Sequence, residues 1–142
     1  YSLTMKVFFV SNILLDILVE RDNKEFTENA MTIVELGSDG AIDLYMSVLS
    51  VTTIAYVLKN MPVAKKKGII KELTTTVKVL PSLPEHVNEM LESPMKDIED
   101  AMQVLSAREG QCDLIVTRNL KDFGDADMPV IDPEDFLGRI LV

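Results

Sequence analysis

Short apolar runs alternate along this chain with longer stretches in which apolar residues recur every third or fourth position. Met5-Lys-Val-Phe-Phe-Val10 is β-rich and apolar on both alternations, the pattern of a strand buried on two faces. Ser11 and Asn12, both good helix caps, precede a short helix over 13–19. After the polar turn Arg21-Asp-Asn-Lys24, the positions Phe26, Ala30, Ile33, Val34 and Gly37 fall at helical spacing over 25–36, with Gly40 as the stop. A second strand is predicted over 42–46, ending at Ser47, followed by a helix capped by Ser50 or Thr52 and running through Tyr56 and Leu58. Met61-Pro62 breaks that helix, and Pro62 opens another over 63–74.

The remainder repeats the scheme. Val77-Lys-Val-Leu80 reads as a strand, and Pro84 opens a helix to about Leu91 that breaks at Ser93-Pro94. A helix is predicted over 97–109 with Ile98, Ala101, Met102 and Leu105 on its apolar side and Gly110 as its stop. Leu114-Ile-Val-Thr117 and the brief Val130-Ile131 are strands, and Pro133 starts a terminal helix to Ile140. Strands separated by helices imply right-handed βαβ crossovers, so the expected fold class is α/β: one three-layer domain over 1–142 with a central, mostly parallel sheet flanked by helices.

Composition supports a packed core and removes several chemistries. Of 142 residues, 47% are hydrophobic and 26% charged, so the chain is neither disordered nor a polar tail. One cysteine, Cys112, excludes an intramolecular disulfide framework and a Cys-rich zinc site, and one histidine, His86, argues against a His-based metal cluster or a Ser-His-Asp triad. No apolar stretch reaches the length of a membrane span and no signal peptide is legible, so the expected location is cytoplasmic, with no membrane partner. Tyr1-Ser2-Leu3-Thr4 precedes Met5 and reads as an upstream or non-native extension.

The net charge of −9 opposes nucleic-acid binding by bulk charge. An acidic chain still acts on RNA when its carboxylates gather around divalent cations. In open α/β sheets ligands bind beyond the carboxyl ends of the strands, and two such places here are acidic. Asp97 and Asp100 share one face of a helix's first turn, and Asp122 follows a strand end with Arg118 and Asn119 beside it. At about 4 Å and an effective dielectric near 20, each carboxylate pair costs about 4 kcal/mol, which a proton or a hard cation such as Mg²⁺ or Mn²⁺ relieves. The plainer alternative is that Asp97 and Asp100 only favour the positive end of a helix.

With these strings in view, the chain resembles a PIN domain, and more closely the bacterial branch of toxin ribonucleases from toxin–antitoxin pairs. The likeness rests on Lys6-Val-Phe-Phe-Val-Ser-Asn-Ile-Leu-Leu-Asp16, on Lys96-Asp-Ile-Glu-Asp-Ala101, and above all on Asp113-Leu-Ile-Val-Thr-Arg-Asn-Leu-Lys-Asp-Phe123, and it spans nearly the whole chain from Met5 to about Leu137. It implies a parallel sheet between helices and a centre of three or four acids holding one or two Mg²⁺ or Mn²⁺ ions for RNA hydrolysis. It also implies an antitoxin partner and a homodimer. Asp100 matches the third acid and Asp122 the fourth, with Asp97 and Asn119 in support and Ser11 and Asn12 as the polar pair after the first strand. Arg118 is read from its place beside Asp122 as a contact for a substrate phosphate or, equally, as an ion-pair partner of Asp122 or Asp97. The first acid falls where this chain has Val10 and the second where it has Thr53.

Two of four carboxylates are therefore replaced, and hard cations need several oxygen ligands. Two function classes follow: a Mg/Mn-dependent, toxin-like endoribonuclease with an incomplete acidic site, or a catalytically degenerate PIN domain that binds RNA or protein. Asp16 reads as a helper or structural hydrogen-bonder rather than a replacement ligand. Lys65-Lys-Lys67, with Lys59 and Lys71, is the one basic cluster, read as a solvated helix face before a phosphate track. His86 is expected to be exposed, Cys112 to be a small buried residue, and Tyr56 to sit in the core rather than to stack on bases.

Overall fold

In the computed structural model the described residues are 4–19 and 23–140; the first three residues of the proposed extension, and Arg21 and Asp22 of the predicted turn, lie outside them. Five strands form one sheet in the order β3-β2-β1-β4-β5. They are β1 (Lys6–Phe9), β2 (Asp43–Ser47), β3 (Val77–Leu80), β4 (Leu114–Val116) and β5 (Val130–Ile131), and every pair is parallel. The expected "mostly parallel" sheet is parallel throughout.

The central position of β1 explains its composition. Val7, Phe8 and Phe9 are fully buried, and burying each such side chain is worth about 1.5–3 kcal/mol. Register pairs Phe8 with Tyr45 on one side and with Ile115 on the other.

Between the strands run α1 (Ser11–Leu18), α2 (Lys24–Ser38), α3 (Val48–Val57), α4 (Val63–Leu73), α5 (Pro84–Glu92), α6 (Ile98–Glu109) and α7 (Pro133–Ile140). The chain steps outward from β1 to β3 and then crosses back to β4. Right-handed crossovers therefore put α1 to α4 on one face and α5 and α6 on the other. In agreement, α6 packs on β2, β3 and β4 with α5 against it, while α1 and α7 pack on α2. No helix among the described residues is long and apolar enough to cross a membrane.

Several boundaries differ from expectation, each for a local reason. Helix α1 begins at Ser11, not Ile13, because Val10 takes the extended cap conformation and the Ser11 N–H donates to Gln103 Oε1 at 3.0 Å. Helix α2 runs to Ser38 through Gly37, whose missing side chain admits Leu44 and Thr76, and Gly40 at φ +81° then turns the chain out. Helix α3 is capped by Ser47, which accepts from the Leu49 N–H at 3.1 Å; Ser50 is instead buried inside it.

Three side chains are placed differently from expectation. His86 is 3% exposed: its Nδ1 accepts the Leu83 N–H at 3.0 Å and its Nε2 stands 3.3 Å from Glu109 Oε1, joining α5 to α6. Tyr56 is 69% exposed, because α3 is apolar nearly all round and turns Ile54 inward instead. Cys112 is half-buried, and burial pushes its thiol up to about 12, leaving it protonated and inert at neutral pH.

Candidate functional site

Strand order reverses between β1 and β4, and the carboxyl ends of those two strands open a cleft of about 280 Å³. Four pieces of chain line it: Val10 to Asn12 after β1, Thr53 on α3, the start of α6 from Asp97 to Gln103, and Asn119 and Asp122 after β4. Of the expected site residues, Asp97, Asp100, Asp122, Ser11, Asn12 and Asn119 come together here.

The acids reach the cleft by ordinary local chemistry. Asp97 is the N-cap of α6 and its Oδ1 accepts the Asp100 N–H at 2.9 Å, so the two lie on one face as a cap and the third residue of the first turn. Asp122 sits in a short 3-10 turn, Leu120–Phe123, pinned by the buried ring of Phe123. The turn follows Thr117, a fully buried residue whose hydroxyl accepts the Asn119 N–H at 3.1 Å. Burial first, and then the carboxylates of Asp97, Asp122 and Glu99, push the Asp100 carboxyl up to about 6. No ion pair involves Asp97, Glu99, Asp100 or Asp122 among the described residues.

Glu99 is the cleft residue that the sequence reading passed over. Its Oε1 accepts from the Thr53 hydroxyl at 3.1 Å and lies 3.5 Å from the Ser11 hydroxyl. The Ser11 hydroxyl in turn pairs with Ser50 Oγ at 2.8 Å. Gln103, 1% exposed, accepts the Ser11 N–H through its Oε1 and completes this net of uncharged polar groups around Glu99. The signal was present, since Glu99 stands between Asp97 and Asp100, but helical spacing alone does not show that its side chain swings toward α3. Asn12 Oδ1 is buried without a hydrogen-bond partner among the described residues, an omission that costs about 1–3 kcal/mol.

Arg118 is not in the cleft. Its Nε and one terminal nitrogen donate to Asp16 at 2.6 and 3.1 Å, and its guanidinium lies 4.2 Å from the centre of the Phe26 ring. It lines a separate small pocket of about 170 Å³ with Glu25, Asp132 and Glu134. The expected pairing with Asp122 or Asp97 is thus corrected: Arg118 is held in a part-buried ion pair with Asp16, the structural hydrogen-bonder that its place in α1 suggested.

The donor set is a poor match to a divalent cation. Val10, 1% exposed, presents methyl groups at the end of β1, and Thr53 presents a hydroxyl already committed to Glu99. Among the described residues no group of three or more His, Cys, Asp or Glu side chains is arranged to hold a metal ion. The mutual repulsion at Asp100 creates a preference for positive charge, but the residues do not fit a fully ligated cation.

Residues 6–121 match the PIN domain family. The chain is 31% identical over 140 residues to Ribonuclease VapC1 of Aquifex aeolicus, covering 94% of each. Its fold is similar to that in the crystal structure of VapBC2 from Rickettsia felis bound to a promoter DNA fragment, at a TM-score of 0.69 and 10% identity over 90% of this chain and 98% of that one. It is also similar to DNA-bound VapBC from Salmonella typhimurium, at a TM-score of 0.67 and 13% identity over 92% and 99%.

Proposed function

The chain belongs to the PIN domain family, and from that premise we propose that it is a toxin-class ribonuclease relative that engages single-stranded RNA at the acidic cleft but hydrolyses it slowly or not at all. The observation that carries this reading is Val10, buried at the end of the central strand and lining the cleft where the family's first acid belongs. Any residual affinity for Mg²⁺ or Mn²⁺ rests on Asp100 and Asp122, with Asp97 beside them, since these are the acids not tied to a hydroxyl. Ser11, Asn12 and Asn119 supply polar contacts at the rim for an RNA strand.

An antitoxin protein is the partner that accords with this assignment, because structural neighbours are toxin–antitoxin complexes by name. A groove of about 580 Å³, with Leu18, Met31, Val34 and Ile69 beside Glu72 and Thr76, offers it a seat of mixed apolar and polar character. The setting is cytoplasmic.

One observation favours a second reading, an active metal-dependent endoribonuclease. The carboxylate of Glu99, held at Thr53, brings a fourth acid into the cleft from α6. Labelled RNA incubated with purified protein and Mn²⁺, paired with calorimetric Mn²⁺ titration, separates the two. The proposal expects weak or undetectable cation binding and little cleavage. Robust cleavage abolished by Asp100→Asn sinks it in favour of the second reading.

A further inference from the structure

We propose that Tyr56 and Lys59 form a stacking subsite for an unpaired RNA base immediately beside the acidic cleft, an inference that rests on the RNA reading above. Tyr56 is 69% exposed on α3, and an aromatic ring held in water is apolar surface that a base can cover. Its place relative to the cleft follows from helix geometry. Thr53 lines the cleft, and Tyr56, three residues on, is its neighbour on the same face of α3. A strand leaving the cleft along α3 meets the ring next.

Lys59 ties this ring to charge. Its Nζ lies over one face of the Tyr56 ring, 4.6 Å from the centre, which leaves the other face for a base and puts a positive charge at the ring for a neighbouring phosphate. The surrounding sequence extends the effect. Of the chain's 14 basic residues, Lys59, Lys65, Lys66, Lys67 and Lys71 lie within the stretch from Lys59 to Lys71. None of the five takes part in an ion pair among the described residues. In a molecule of net charge −9 with carboxylates lining its cleft, a polyanion seated at the cleft needs complementary charge from outside it, and this stretch supplies that charge.

The probe is a fluorescein-labelled single-stranded oligouridylate, with binding read by anisotropy at low salt on the full chain. Tyr56→Ala is expected to weaken binding about 5- to 100-fold, the loss of one stacked base, with unchanged circular dichroism. Tyr56→Trp is expected to keep the affinity, and because the chain contains no tryptophan its emission reports stacking directly by quenching at saturation. Lys59→Gln is expected to reduce the slope of log affinity against log salt by about 0.7. If the native chain binds the probe and Tyr56→Ala binds equally well, the subsite is wrong while the RNA reading stands. If the native chain does not bind at all, the RNA reading fails and takes the subsite with it. If Tyr56→Ala leaves RNA affinity alone and converts a dimer to a monomer in sedimentation, the patch is an interface between copies and the proposal is overturned.

Discussion

Arg118 grips Asp16 through two hydrogen bonds of 2.6 and 3.1 Å, one turn inside α1 and 102 residues away in sequence. The Asp16 side chain is 3% exposed and that of Arg118 19%, so the pair clamps α1 to the end of β4 in a largely dry setting. Removing Arg118 takes two charge-assisted hydrogen bonds from a buried carboxylate. Arg118→Ala should lower stability by about 3–5 kcal/mol, measured by urea unfolding. Arg118→Met with Asp16→Asn should recover part of that loss, since both charges then disappear together. A loss below 1 kcal/mol for Arg118→Ala would show that the clamp is marginal.

Asp100 sets a pH dependence of unusual sign. Its folded value of about 6 lies above the ordinary 3.8, so between those two values the folded chain holds a proton that the unfolded chain has released. The stability from this group is present in full below about pH 4 and declines as pH rises through about 6. Asp100→Asn should therefore gain stability relative to the native chain between pH 4 and 7, read from urea midpoints at each pH. Glu99→Gln should lower the Asp100 midpoint followed by NMR titration, because it removes one of the repelling carboxylates while leaving an oxygen for Thr53.

Val10 stands at the N-cap of α1 in the extended conformation a capping residue needs, yet offers no oxygen. Val10→Asp would supply one, a change worth about 1 kcal/mol in an ordinary cap. Here the new carboxylate also enters a 1% exposed position beside an already repelled Asp100, so the variant should melt below the native chain without a cation. Mn²⁺ should raise its melting temperature more than that of the native chain and increase cleavage of labelled RNA, further so with Thr53→Glu. A melting curve indifferent to Mn²⁺ would mean that the centre lacks more than this one ligand.

His86 joins two helices that share few other polar links. His86→Ala removes the acceptor for the Leu83 N–H, the contact with Glu109 and a buried ring, and should cost about 2–3 kcal/mol by chemical denaturation. Retention of native stability would show that α5 docks through its apolar side alone.

Local chemistry was enough to read the scaffold. A short apolar run rich in Val and Phe at β1 reads as a strand covered on both faces, and Gly40, Pro62 and Pro84 divide the helices because a left-handed glycine turns the chain out and a proline fixes φ and lacks an N–H. The sheet order leaves the carboxyl ends of β1 and β4 as the cleft; Asp122 follows β4 in the chain, while Asp97 and Asp100 open α6, the helix that leads into β4.

Other features depended on which side of a helix meets a neighbour. Helix α3 is apolar around most of its circumference, so its own pattern could not say that Ile54 turns inward while Tyr56 faces water. His86 lies in a polar helix and is buried only because α6 brings Glu109 to it. Thr53 meets Glu99 across 46 residues, and Arg118 meets Asp16 across 102. The chain by itself determined the elements, their order and the acids at the cleft, since these follow from backbone preference and hydrophobic period. The tertiary structure alone decided which charges are paired, which stay exposed to one another and which ring is left open, because those outcomes depend on side chains from distant segments arriving within a few ångströms.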